Sequence, residues 1–126
     1  MWNEPSKKRL NQLPSLYSTQ DIPFEQKEVW LHFYIAGCDW WAVEFDHDGG
    51  DLFFGFVVLN NDHQNSEWGY FSLSEMRSIK IGFLEIDCEL PEYWHVTPAN
   101  LVNAICLAQD WQMPNLVSKR MNNITA

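Results

Sequence analysis

The chain lacks the long apolar segments and the paired cysteines that would indicate a membrane protein or a secreted one. No window reaches the roughly 18 uninterrupted apolar residues of a transmembrane helix, and the N-terminus has no apolar core like that of a signal peptide. The three cysteines, Cys38, Cys88 and Cys106, show no C-x-x-C spacing, which argues against a disulfide framework and a structural zinc site. We therefore expect a cytoplasmic protein with reduced thiols.

The motifs of common catalytic sites are absent as well. The sequence contains neither of the phosphate-binding patterns G-x-G-x-x-G and G-x-x-x-x-G-K, nor the G-x-S-x-G nucleophile elbow. We predict no catalytic residue, no metal ligand and no cofactor, and we expect a binding protein rather than an enzyme. The alternative is a small enzyme or ligand-binding domain in which His32, His95 and Cys88 meet in one pocket, since nucleophilic sites often pair His with Cys.

Basic residues are scarce. The chain has eight of them against 17 acidic residues, which gives a formal net charge of −9, and residues 28–110 contain 14 acidic side chains but only Arg77 and Lys80 as basic ones. Such a body repels phosphate backbones, so we expect no direct nucleic-acid binding by the folded domain. Two interpretations stay open. The negative charge keeps the protein soluble, or the acidic surface competes with nucleic acid for a basic binding site on a partner protein.

Alternation of apolar and polar side chains predicts a sheet. The period of two indicates strands within 28–36, 40–46, 51–59 and 67–71. The alternating charges over 84–90 are typical of an edge strand whose outer side is kept polar. The connections are short and rich in Gly, Asp and Asn, so consecutive strands should pair antiparallel.

Two helix start signals follow the fourth strand. Ser72 and Glu75 have the spacing of a capping box, which predicts a short helix over about 73–79. Thr97-Pro98 is the second signal, with Thr as the cap and Pro at the first helical position. Apolar residues at helical spacing continue from there to about Trp111.

Together these elements predict an α+β domain. We expect an antiparallel meander of about four to five strands, one short helix after the fourth strand, and a C-terminal helix packed on the sheet. Composition predicts a flexible basic N-terminal arm over 1–12, a single domain over 13–113 and a C-terminal tail over 114–126.

The segment EFDHDGGDLFFG, residues 44–55, places three aspartates and a histidine between two apolar runs. A calcium loop needs a Gly at its sixth position and a Glu at its twelfth. Counted from Asp46, those positions hold Asp51 and Val57. Asp-Gly-Gly between two alternating runs instead predicts the turn of a β-hairpin, because glycine adopts positive φ without strain.

Aromatic and acidic residues of the sheet form the predicted partner-binding surface. Trp68 and Tyr70 share a face of the fourth strand by alternation. Exposed Trp and Tyr rimmed by carboxylates are typical of protein-binding hot spots; the alternative is that helices cover these rings, which then belong to the core. The full predicted surface comprises Trp40, Glu44, Asp46, Asp48, Asp51, Glu67, Trp68, Tyr70, Glu85, Asp87 and Glu89.

Several segments carry a family resemblance. They are LPSLYST at 13–19, WWAVEFD at 40–46, DLFFGFV at 51–57, EWGYFSLSE at 67–75 and LEID at 84–87. Over roughly residues 13 to 97 the chain resembles the bacterial family catalogued as domain of unknown function 2958. The resemblance implies a small intracellular protein of the kind often carried by plasmids, phages and other mobile elements. It implies no catalytic residues, because the family has no established activity.

These observations lead to one functional hypothesis. We expect a non-catalytic protein-binding module that presents an acidic, aromatic surface to a basic partner protein, and no membrane partner. The resemblance favours a mobile-element inhibitor of a host defence complex, an anti-CRISPR or anti-restriction protein, whose carboxylates take the place of phosphates. Such binding weakens steeply as salt rises. The sequence leaves the oligomeric state open.

Overall fold

A computed structural model describes residues 1–112, and its architecture is α+β, as the sequence predicts. The helices are α1 (Lys7–Asn11), α2 (Leu73–Ser78) and α3 (Asn103–Gln109), with 3-10 turns at Phe24–Gln26 and Ala99–Leu101. The strands are β1 (Glu28–Val29), β2 (Leu31–Ile35), β3 (Cys38–Phe45), β4 (Leu52–Val58), β5 (Glu67–Ser72), β6 (Lys80–Ile81), β7 (Leu84–Glu85), β8 (Asp87–Cys88) and β9 (Thr97–Pro98). The predicted tail over 114–126 lies outside the described residues.

Five strands form the main antiparallel sheet in the order β5-β4-β3-β2-β8. Strands β2, β3, β4 and β5 are the predicted meander, joined by short turns. The fifth, β8, belongs to the segment predicted as an edge strand and pairs with β2 through Phe33 opposite Cys88 and Tyr34 opposite Asp87. Two small pairs, β1 with β9 and β6 with β7, lie outside this sheet.

The segment between β3 and β4 is the predicted hairpin turn. The Asp46 amide donates to the Leu52 carbonyl at 2.9 Å, and Gly49 has a φ of +90°. The Asp46 carboxylate accepts the Asp48 amide at 2.8 Å, so this side chain stabilises the turn itself. Within residues 1–112, no group of three or more His, Cys, Asp and Glu side chains is arranged to hold a metal ion.

Apolar side chains cover the sheet on both faces. We call one the α2 face, where Phe33, Trp40, Phe53 and Phe71 pack with Leu73 and Met76 of α2. We call the other the α3 face, where Trp41, Val43, Phe56 and Val58 pack with Val102 and Ile105 around α3. The C-terminal helix thus packs on the sheet, as predicted. The two faces are separate clusters that share the strands between them.

A β-bulge interrupts the pairing of β3 with β4. Ala42 lies opposite Gly55, but the next pair is Glu44 opposite Phe54, so Val43 is the extra residue. A bulge shifts every following side chain to the other face of its strand. Glu44 therefore shares the α3 face with Trp41, although a regular strand would place it on the α2 face with Ala42.

The first predicted helix is confirmed and the second begins later than predicted. Ser72 caps α2, and its hydroxyl accepts the Glu75 amide at 3.1 Å. Thr97-Pro98 does not start a helix, because these residues pair with β1 and the Thr97 hydroxyl donates to the His95 carbonyl at 2.7 Å. Helix α3 starts at Asn103, after a 3-10 turn. No helix within residues 1–112 is long and apolar enough to cross a membrane.

Residues 1–12, which the composition predicts as a flexible arm, lie against the domain. The Trp2 amide donates to the Ile86 carbonyl at 2.8 Å, and the Cys88 amide donates to the Trp2 carbonyl at 3.2 Å. Pro5 is buried, and Leu10 of α1 packs on the α2 face. Polar composition alone does not show these backbone contacts, because they join the segment to residues more than 80 positions away.

Candidate functional site

Two residues of the predicted partner-binding surface lie in the interior. Trp40 is 6% exposed within the α2 face, and Glu44 is 3% exposed. Trp40 is covered because the N-terminal segment and α2 enclose that face. Glu44 is covered because the bulge turns it beneath residues 17–19, where the Tyr17 and Thr19 amides donate to its carboxylate. Neither side chain belongs to an exposed binding surface, which corrects the sequence-based assignment.

The aromatic residues of β5 share a face, as alternation predicts, but they differ in exposure. Trp68 is half-buried, stacks on Phe24 with ring centroids 4.8 Å apart, and donates its indole N–H to Gln109 at 3.2 Å. Tyr70 is 51% exposed. Trp68 thus joins β5 to the α3 end of the domain, whereas Tyr70 presents its ring to solvent.

The predicted carboxylates Asp46, Asp48, Asp51 and Glu67 do not form one patch. Asp46 binds its own turn, and Asp51 accepts the Ser74 amide at 2.7 Å, which helps to cap α2. Asp48 and Glu67 are exposed. Asp46 and Asp51 therefore stabilise local structure, and the exposed carboxylates of this group lie at different ends of the sheet, since Asp48 follows β3 and Glu67 starts β5.

The second acidic group, at β7 and β8, is more concentrated. Glu85 accepts the terminal ammonium of Met1, which lowers the pKa of the Glu85 carboxyl. The two oxygens of Asp87 accept from the Asn3 amide and the Tyr34 hydroxyl, each at 3.0 Å. Glu89 reaches across to β2. Strand β8 therefore brings Asp87 and Glu89 to the sheet edge that also carries Tyr34.

His32 lies between two carboxylates. Its Nδ1 is 2.6 Å from Glu89 Oε1 and its Nε2 is 2.7 Å from Asp39 Oδ1. Each ring nitrogen therefore lies within hydrogen-bond distance of a carboxylate oxygen. The ring is also stacked on Trp41 at 5.1 Å, nearly parallel. The ring of His32 is thus positioned by Asp39, Glu89 and Trp41 together.

These side chains surround a concavity of about 600 Å³, which we call the acidic cleft. The residues that define it are His32, Tyr34, Asp39, Asp87, Glu89 and Tyr93. Tyr93 is 74% exposed at its rim, and burial together with the Asp87 carboxylate raises the pKa of Tyr34. Of the residues within 1–112, no lysine or arginine lines the cleft. Three carboxylates against one histidine leave it with excess negative charge.

The structure brings only two of the three residues of the enzyme alternative together. Cys88 lines the acidic cleft with His32, whereas the exposed His95 lines a separate groove beside Arg9. Burial raises the pKa of the Cys88 thiol to about 12, although the Arg9 guanidinium opposes this shift. A thiol acts as a nucleophile in its thiolate form. This environment therefore favours an unreactive cysteine.

Sequence analysis missed a buried polar cluster on the α3 face. Thr19 is 6% exposed and Lys27 is 4% exposed. The Lys27 ammonium donates to the carbonyl and hydroxyl oxygens of Thr19, and that hydroxyl donates to Glu44. No local pattern marks Lys27, because it stands in a polar segment where lysine is ordinarily solvated. Only the fold of residues 13–27 over the sheet encloses it.

Comparisons with known proteins assign no family to the chain. No protein-family model, curated protein sequence or solved structure matches the chain. The resemblance described from the sequence therefore remains a prediction.

Proposed function

We propose that the chain is a non-catalytic protein-binding module whose acidic cleft receives an arginine side chain of a basic partner protein. The observation that carries this proposal is the convergence of Asp39, Asp87 and Glu89 on one concavity beside Tyr34 and Tyr93. A guanidinium forms bidentate hydrogen bonds with carboxylates and stacks on aromatic rings. Arginine is therefore the side chain whose chemistry best complements this set of groups.

The charge of the whole chain supports the same partner. A net charge of −9 attracts a basic surface over about a Debye length and repels nucleic acid. The family resemblance favours one biological role: the partner is a nucleic-acid-binding defence complex of the host, and the module occupies the basic site of that complex. We place this activity in the cytoplasm, where the three free thiols, Cys38, Cys88 and Cys106, would stay reduced.

The test compares two triple variants that remove the same charge. Asp39→Asn/Asp87→Asn/Glu89→Gln removes three carboxylates of the cleft. Glu25→Gln/Glu75→Gln/Asp110→Asn removes three exposed ones elsewhere, for which the structure gives no side-chain hydrogen bond within residues 1–112. A labelled hexa-arginine peptide is the probe, and its affinity is measured by fluorescence anisotropy at about 50 mM and about 300 mM salt.

We expect the wild-type protein to bind the peptide and to lose about tenfold or more of its affinity at the higher salt. The cleft variant should lose about tenfold at low salt, whereas the control variant changes little because its carboxylates do not converge. Equal losses in the two variants would mean that net charge alone attracts the peptide. Affinity independent of salt would likewise contradict the proposal. Affinity capture from the native host, followed by mass spectrometry, then asks which proteins the cleft variant loses and the control retains.

A further inference from the structure

A second concavity lies on the α3 face, away from the acidic cleft. It measures about 420 Å³, and its relevant walls are Tyr17, Phe24, Lys27, Glu44, Phe54 and Tyr70. This size is within the range of small-molecule sites in proteins. We call it the aromatic cavity. None of the residues that define the acidic cleft lines it.

Aromatic rings form a continuous arc beside this cavity: Tyr17, Tyr70, Phe54 and Phe24 line it, and Trp68 joins Phe54 to Phe24 from outside the lining. The ring centroids of Tyr17 and Tyr70 are 6.2 Å apart, those of Tyr70 and Phe54 5.1 Å, and those of Phe54 and Trp68 6.1 Å. Trp68 then stacks on Phe24. The ends of the arc are open, since Tyr17 is 57% exposed and Phe24 45% exposed. Such an arc offers ring faces and edges against which a flat ring can stack.

Two buried charged side chains line the same cavity. Glu44 reaches it because of the bulge, which places its carboxylate in a cross-strand row with Phe54 and Tyr70. Lys27 reaches it from the segment that follows the 3-10 turn at Phe24–Gln26. Burying a charge is unfavourable unless it is paired and hydrogen-bonded. Thr19 bridges the two, since its hydroxyl accepts from Lys27 at 3.0 Å and donates to Glu44.

The hydrogen-bonding capacity of this cluster is not filled. The Lys27 ammonium has three N–H groups, and two of them go to Thr19. Glu44 Oε2 accepts the Thr19 amide and hydroxyl, but within residues 1–112 Oε1 accepts only the Tyr17 amide, at 2.8 Å. Among the described residues, one acceptor site on Glu44 and one N–H donor on Lys27, whose Nζ lies 5.4 Å from the centroid of the Phe24 ring, therefore have no hydrogen-bond partner.

We propose that the aromatic cavity binds an uncharged nucleobase or its nucleoside. A pyrimidine or purine base that carries a neighbouring carbonyl and N–H presents an acceptor to Lys27 and a donor to Glu44, while its ring stacks within the arc. The charges of Lys27 and Glu44 offset each other, and Asp21 stands at the rim. Among residues 1–112, the lining of the cavity therefore offers a phosphate no free positive charge, so the base or nucleoside is preferred over the nucleotide.

The probes are uracil, hypoxanthine and uridine, each of which has the carbonyl and N–H edge. Binding is followed by chemical-shift changes in ¹H–¹⁵N spectra of the whole chain. Two comparison compounds separate the parts of the proposal: para-cresol supplies a ring without the edge, and uridine 5′-phosphate adds a charged phosphate. We expect at least one of the three probes to bind with a dissociation constant of about 1 mM or below. It should bind at least tenfold more tightly than para-cresol. Uridine 5′-phosphate should bind more weakly than uridine.

Two exposed aromatic residues provide matched variants. Tyr70→Ala removes a wall of the cavity, and Phe83→Ala removes a ring that is 88% exposed elsewhere. Tyr70→Ala should weaken binding of the base about tenfold, and Phe83→Ala should leave it unchanged. Lys27→Met removes the donor itself and should abolish the preference over para-cresol; if this variant fails to fold, the Tyr70→Ala comparison still decides.

The proposal is overturned if none of the three probes binds, if para-cresol binds as well as they do, or if Tyr70→Ala and Phe83→Ala behave alike. The cleft variant Asp39→Asn/Asp87→Asn/Glu89→Gln serves as a further control. It should bind the base like the wild-type protein, because the aromatic cavity shares none of these residues. Failure of the arginine-binding proposal and failure of this one are thus separate results.

Discussion

Glu44 lies directly opposite Phe54 on the α3 face, and it does so because Val43 is inserted into the pairing of β3 with β4. The displaced register carries a carboxylate from the face that α2 covers to the face that carries the aromatic cavity. Bulges commonly re-aim a side chain in this way next to functional sites. The bulge therefore connects the backbone of the central strand pair with the buried Lys27–Thr19–Glu44 cluster.

The bulge requires glycine at position 55. A Cβ atom on Gly55 would lie 1.9 Å from the carbonyl oxygen of Trp41 and 2.8 Å from its carbonyl carbon, both of which are backbone atoms. We expect Gly55→Ala to lower the free energy of unfolding by about 1–3 kcal/mol or more, since the backbone must move. Urea denaturation measures this loss.

Gly69 is the matched control for that substitution, because it pairs with Gly55 across β4 and β5 and a Cβ there would meet nothing within 4 Å. Gly69→Ala should leave stability unchanged or raise it by up to about 1 kcal/mol. If both alanine variants were equally stable, close backbone contact at the bulge would not be the reason for glycine at position 55.

The two predicted helix caps should differ in energy. Ser72 accepts the Glu75 amide at the start of α2, so Ser72→Ala should cost about 1 kcal/mol of unfolding free energy. Thr97 caps no helix, and among residues 1–112 its hydroxyl bonds only to the nearby His95 carbonyl, so Thr97→Ala should change stability by less than about 0.5 kcal/mol. Thermal unfolding of the two variants gives the comparison. If Thr97→Ala lost more stability than Ser72→Ala, Thr97 would have to act as a helix cap after all.

The three thiols should differ in reactivity. Burial raises the pKa of Cys88 to about 12 from an ordinary value of 9.0, which lowers its thiolate fraction about a thousandfold near neutral pH. Cys106 is shifted in the same direction by burial, and Cys38 is half-exposed. Iodoacetamide labelling followed by peptide mass spectrometry should therefore modify Cys38 first. Cys38→Ser should remove nearly all labelling of the native protein, and rapid labelling of Cys88 would contradict its buried environment.

The turn after β4 contains a carboxylate, Asp62, whose pKa is lowered mainly by Asn65. The side-chain N–H of Asn65 donates to Asp62 at 2.7 Å and its backbone N–H donates at 3.2 Å, and these bonds lower the pKa of Asp62 below 3.8. Because the pKa is lower in the folded than in the unfolded state, ionised Asp62 stabilises the folded protein at pH values above the unfolded-state pKa. This stabilisation is lost as the pH falls through the folded-state pKa. Asn65→Ala should raise the pKa of Asp62 towards 3.8.

Carboxyl ¹³C shifts in a pH titration measure that change. Gln64→Ala is the control, since Gln64 contributes through its backbone, and this variant should leave the pKa of Asp62 where it is. An unchanged titration of Asp62 in Asn65→Ala would mean that the side-chain hydrogen bond has no role in the shift.

The parts of the fold that sequence predicts are those set by local chemistry. Alternation gives the four strands of the meander, Asp-Gly-Gly gives the turn, and Ser72 with Glu75 gives the start of α2. Thr97-Pro98 has the local chemistry of a helix start as well, but pairing with β1 takes precedence there. That pairing joins residues far apart in sequence, so local propensity does not reveal it.

The candidate sites were less predictable because they depend on long-range packing. Asp87 and Glu89 were identified as acidic, yet their meeting with Asp39 and His32 follows from β8 joining the edge of β2. The burial of Glu44 follows from a bulge, and a one-residue insertion leaves no signature in the alternation of β3. Lys27 has no distinguishing neighbour in the sequence at all.

The placement of Trp40 and Trp41 has a consequence for how the domain comes apart. These consecutive residues of β3 point into the two opposite apolar layers, so each layer is anchored on the same short length of backbone. If either layer unfolded, the apolar face of β3 that it covers would become exposed to water. The molecule should therefore lose both layers in a single all-or-none transition, without a half-unfolded species that keeps one of them.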